Sequence, residues 1–223
     1  MVFGLKNFLL KGGTRSPASL PEDVRLALEA WRASTAPALD GPHFHTRYVV
    51  VDVATSGSRA AEDELLGISA VGVQAGSILP ADAFALDLAA DVAADAAVDR
   101  QLMAFLTYAA KAPLVTYHSP FVSGFLQRAY KERLGVDFQP QWIDLAWLLP
   151  SLFPEKSMKV VALDDWLEMF GLGSSGRRDT MANTLVLARL FQMLLVRATG
   201  KEIATAGKLV EESQAATFLR RHH

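Results

Sequence analysis

The chain contains no cysteine. That excludes disulfides and cysteine-ligated metals, and it fits a reducing compartment. A basic surplus is missing too: 22 Lys and Arg stand against 24 Asp and Glu, a net charge of −2. Dedicated nucleic-acid binders usually carry a basic excess, so extended electrostatic grip on a duplex is disfavoured. Holding a few nucleotides at a strand end is not. No apolar run reaches the length needed to span a bilayer, and no membrane role is expected. The opening MVFGLKNFLLKGG is too short and too interrupted by polar residues for a secretory signal. These absences point to a cytoplasmic location. What is present is globular: 51% hydrophobic and 21% charged residues in a chain of 223. That suffices for one domain with a sizeable core plus a modest extension.

The chain is organised around Arg47 to Val73. Tyr48 to Val51 is a short apolar, β-branched run, the pattern of a strand covered on both faces. Asp52 follows, then a turn of Thr55, Ser56, Gly57 and Ser58, and Leu65 to Val73 resumes the apolar run. An acid at the end of a buried strand is costly unless it is paired or binds something. Two readings stand for Asp52: a cap for the turn, or a ligand.

Three regions follow: a helical extension and linker over 1–46, a core domain over 47–199, and a helical tail over 200–223. In the first, Pro21, Glu22 and Asp23 open a helix with an apolar face of Leu26, Ala27, Ala30 and Trp31. His43 and His45 sit in a Pro-rich loop and read as solvated. In the core domain, Gly76 marks a hairpin, and Ile78 to Leu88 reads as a third strand. Asp91, Asp95 and Asp99 read as a solvated loop or helix start. Arg100 to Lys111 is a helix, and Leu114 to Tyr117 a short buried strand. Further helices are expected at about Ser119 to Leu134, Asp144 to Phe153, Leu163 to Phe170 and Arg178 to Thr199. Gly171, Gly173 and Gly200 read as helix stops, and Asp144 and Asp164 as N-caps.

The stretch Asp52-Val53-Ala54-Thr55-Ser56-Gly57, with Ile68-Ser69-Ala70-Val71, resembles the first motif of the DnaQ/epsilon-type 3′–5′ exonucleases, the DEDDh class. That motif reads Asp-x-Glu-Thr-x-Gly, so Ala54 stands where the family has a metal-binding carboxylate. Tyr117-His118-Ser119-Pro120-Phe121-Val122, running into Gly124-Phe125-Leu126, resembles the second motif, with Val122 at its aspartate position. Arg178-Asp179-Thr180-Met181-Ala182-Asn183 matches the third at the right spacing, with Arg178 at the general base and Asn183 at the last acid. The resemblance covers about Arg47 to Ala198. It implies an α/β fold of ribonuclease-H-like type: a mixed five-stranded sheet flanked by helices, here with a helical N-terminal extension. A His-Gly-Ile-type segment that touches the terminal nucleotide in active relatives has no counterpart.

The family runs two-metal phosphodiester hydrolysis with magnesium or manganese. Hard cations need oxygen ligands. At the four matching positions here only Asp52 is an acid. Arg178 stays protonated and cannot serve as a base. The resemblance therefore implies a degenerate member of the family, a pseudoenzyme with Asp52 as remnant and no bound metal or other cofactor. Its ligand would be a single-stranded nucleic-acid end or a nucleotide, with Thr55, Tyr117, His118 and Phe121 as binding residues. A protein partner could dock through the N-terminal helices. The alternative is a weak 3′–5′ exonuclease with relocated ligands, Asp179 first among them because it lies one helical turn before Asn183. Asp63 and Glu64 are further candidates.

Overall fold

A computed structural model of the chain describes residues 19–88, 95–173 and 179–221. The run Tyr48 to Val51 is fully buried, as a central strand must be. This strand, β1 (Tyr48–Thr55), runs on to the first residue of the expected turn, so Asp52 lies inside the strand and not at its end. Antiparallel β2 (Leu65–Gln74) and β3 (Ser77–Asp87) extend the sheet on one side. Between them, Ala75 and Gly76 both take positive φ, 51° and 71°. Two such residues match the twist of a tight hairpin. On the other side, β4 (Leu114–Thr116) joins β1 in parallel and β5 (Trp142–Asp144) joins β4. The result is a mixed sheet of order β3-β2-β1-β4-β5.

Alternation along β1 divides the core in two. Val49, Val51 and Val53 face α1 (Glu22–Ala33), α2 (Asp95–Ala109) and α3 (Ser119–Leu134). Tyr48 and Val50 face α4 (Leu145–Leu152), α5 (Leu163–Met169), α6 (Thr180–Gly200) and α7 (Ala206–Arg221). By length and composition α6 would qualify as a membrane span, at mean hydropathy 1.3, which the sequence reading did not allow for. It is a core helix: Leu187, Leu190, Phe191 and Leu194 are buried.

Several local expectations change. The inward stripe of α1 is Val24, Ala27, Leu28 and Trp31, while Leu26 is 51% exposed. Asp99 is fully buried and pairs with Arg133 at 2.9 Å, a partner no local pattern announces. Asp91 lies outside the described residues. Asp164 does not cap α5. Its neighbour Asp165 reaches back to the Ala162 N–H at 3.1 Å. His43 is not solvated. Its Nε2 donates to the Ile203 carbonyl at 2.8 Å, so Nδ1 accepts from the Tyr48 hydroxyl at 2.6 Å. Burial keeps this imidazole below its ordinary pKa, consistent with a neutral ring. Residues 39–46, a strap across the fold, add a bond from the Gly207 N–H to the Leu39 carbonyl at 2.7 Å. The strap is thus tied to the α6–α7 turn, and α7 itself contributes Ala206, Leu209 and Val210 to the core.

Candidate functional site

From β1 the chain turns to β2 on one side, and from β4 it proceeds to β5 on the other. The carboxyl ends of β1 and β4 therefore flank a topological switch point, where open α/β sheets form their ligand crevice. Asp52 and Ala54 share a face of β1, opposite Ser69 and Gly67 of β2 respectively. That face is covered by α6, and the Asn183 side chain on its first turn stands beside the Asp52 carboxyl and favours its ionised form. The Val53 backbone N–H acts in the same direction. Burial outweighs both and pushes the Asp52 carboxyl up to about 6. Next to Asn183, the buried Thr184 hydroxyl donates to the Thr180 carbonyl at 2.8 Å, with a longer approach to the Ser69 carbonyl at 3.3 Å.

Ala54, Gly67, Ser69, Asp87, Asp179 and Thr180 line a cleft of about 410 Å³ beside this pair. Asp179 is exposed and caps α6, accepting from the Ala182 N–H at 2.7 Å. The structure thus gathers Asp52, Ala54, Asn183 and Asp179 from two distant motifs. It does not bring Val122 to them. Val122 is 1% exposed and packs in the apolar cluster on the face away from α6. Arg178 lies outside the described residues. Thr55 spends its hydroxyl on the Gly57 carbonyl at 2.7 Å. The Tyr117 hydroxyl donates to the Val161 carbonyl at 2.5 Å, and Phe121 packs edge-on against Phe125. His118 is exposed and left-handed, at φ 61°.

The sequence reading did not single out Ser69, Asp87 or the full reach of Asp144. Ser69 stood inside the first motif's second strand, and only the strand register shows that it faces Asp52. Asp144 caps α4 as expected, accepting from the Ala146 N–H at 3.0 Å. It also accepts from the His118 and Ser119 N–H groups, at 3.0 and 2.7 Å.

These residues do not fit a pair of magnesium or manganese ions. Two divalent cations call for several converging carboxylates. Among the described residues no group of three or more His, Asp or Glu side chains could hold a metal. Asp52 faces an amide that offers it a donor, and Ala54 offers nothing.

No family model matches the chain, and no curated protein sequence matches it. Solved structures do. The zinc-bound form of E. coli exonuclease I with single-stranded DNA aligns at TM-score 0.53 and 13% identity, over 69% of this chain and 41% of that one. A second exonuclease I structure aligns at 0.54 and 15%, over 75% and 43%. An ExoI/SSB-Ct complex aligns at 0.51 and 13%, over 75% and 43%. The chain spans about two fifths of the length of these exonuclease chains. At such identities the likeness shows the fold, the mixed-sheet ribonuclease-H-like fold of these exonucleases.

Proposed function

We propose that the chain is an exonuclease-like protein, of the DNA polymerase III epsilon type, whose two-metal site has decayed and which acts by binding a single-stranded nucleic-acid end without cleaving it. The observation that carries this reading is the Asp52–Asn183 pair beside Ala54. The acid that would hold metal faces an amide where the family carries a second carboxylate. The neighbours named for single-stranded DNA and for SSB-Ct support a nucleic-acid or protein partner.

Purified protein with magnesium or manganese is expected to leave single-stranded DNA intact while retaining it in a binding assay. A positioned base contributes about 10²–10⁴-fold, and metal stabilisation adds several kcal/mol. Without both, cleavage should match solution background. Asp52→Ala controls for contaminating nuclease. Degradation by wild type but not by Asp52→Ala would overturn the reading.

One observation favours the alternative of a weak 3′–5′ exonuclease: Asp179 lines the same cleft as Ala54. In that case Asp179→Ala would abolish the metal-dependent cleavage that wild type shows.

A further inference from the structure

The second structural feature at the switch point is the lip formed by Tyr117 and His118. In the parallel β1–β4 register Val50 lies opposite Val115. β4 ends at Thr116, so Tyr117 and His118 follow at its carboxyl end, which flanks the switch point. His118 has φ 61° and ψ 67°, a left-handed conformation that is costly for a residue with a Cβ. Such strain persists only where the surroundings enforce it, and it gathers at functional sites. The enforcer here is Asp144, 2% exposed, whose two carboxylate oxygens bind the His118 and Ser119 N–H groups. Asp144 is fixed in turn from α7, its own N–H donating to the Ser213 hydroxyl at 2.8 Å.

What this scaffold presents is a ring. The imidazole of His118 is exposed, and Tyr117 stands edge-on to it at 5.0 Å and 83°. Tyr117 is itself anchored through its hydroxyl on the Val161 carbonyl. The start of α3 offers nothing to an anion. The Ser119 N–H is taken by Asp144, Pro120 has none, and the Phe121 and Val122 N–H groups bond the His118 carbonyl. An exposed aromatic face beside a spent helix end suits a flat, uncharged surface better than a phosphate. Base stacking on aromatic side chains tolerates any base and needs no strong positive field. The net charge of −2 agrees with that mode.

We propose that His118 is the platform on which this protein stacks a base of a single-stranded nucleic-acid end, with Asp144 as its positioning residue. This rests on the binding function proposed above.

Fluorescence anisotropy with a labelled dT oligomer, and with the same oligomer carrying abasic sites at its 3′ end, tests it. Wild type binds the dT oligomer more tightly than the abasic one. His118→Ala loses about tenfold or more on dT, the loss of one stacked base, and nothing on the abasic strand. His118→Tyr retains most of the affinity for dT. His118→Gly loses affinity as His118→Ala does, but its urea midpoint stays at or above wild type, because glycine adopts φ 61° freely. That separates lost stacking from lost folding. If His118→Ala binds both oligomers as wild type does, the platform is wrong and the binding function stands. If wild type binds neither oligomer, both fall.

Discussion

Asp52 titrates near 6 in the folded protein against an ordinary value of 3.8. The native state therefore holds its proton more tightly than the unfolded chain does. Folding stability falls as pH rises from about 4 to about 6 and stays lower above that. Asp52→Asn removes the penalty. It is expected to raise unfolding free energy by about 1–3 kcal/mol at pH 8 and to change little at pH 4, as read from urea melts at both pH values. An equal effect at both would refute the titration. Asn183→Asp should act the other way. It places a second carboxylate against the first, and like charges sharing a site raise each other's pKa. Its destabilisation, of about 1–3 kcal/mol at pH 8, should shrink towards pH 5. At this scale Asp52 and Asn183 stand in two stretches that the sequence marks out, and the fold places one beside the other. What stayed hidden was the use of Asp144 by His118, since a carboxylate that reaches 26 residues back leaves no local pattern.

At the scale of elements, the long periodic segments were readable, and so was the short β4, expected over Leu114 to Tyr117 and found over Leu114–Thr116. α3 spans Ser119–Leu134, as its spacing indicates. The strand β5 has three residues, too few for any alternation, and is defined only by pairing with β4. The strap over residues 39–46 was also unreadable. Gly41 and Pro42 suggest a loop, while its structure comes from His43 meeting Tyr48 and Ile203 across the fold. Tyr48→Phe tests that clasp. It deletes the hydroxyl that donates to Nδ1 and leaves a buried acceptor unpaired, which costs about 1–3 kcal/mol. Thermal melts at pH 8 should show the loss. A melt unchanged from wild type would mean that the clasp contributes nothing.

At the scale of the whole molecule, the division into extension, domain and tail is looser than composition suggests. Val24 and Leu28 of α1 and Leu209 and Val210 of α7 are buried in the two halves of the core. Removing α7 by ending the chain at Thr205 should expose the apolar face of α4 and abolish a cooperative thermal transition, as followed by circular dichroism. A truncated chain that melts cooperatively near the wild-type temperature would show α7 to be dispensable. The bond between Asp144 and Ser213 joins residues 69 apart in sequence, and it has a consequence in time. A polypeptide leaves the ribosome from its amino end at about 5–20 residues per second. β1 and β4 can pair as soon as both have emerged, but Ser213, which steadies the holder of His118, arrives several seconds later. During that interval a nascent chain has its central sheet without a finished lip. Under the role proposed for His118, ligand capture is expected only once Ser213 has emerged.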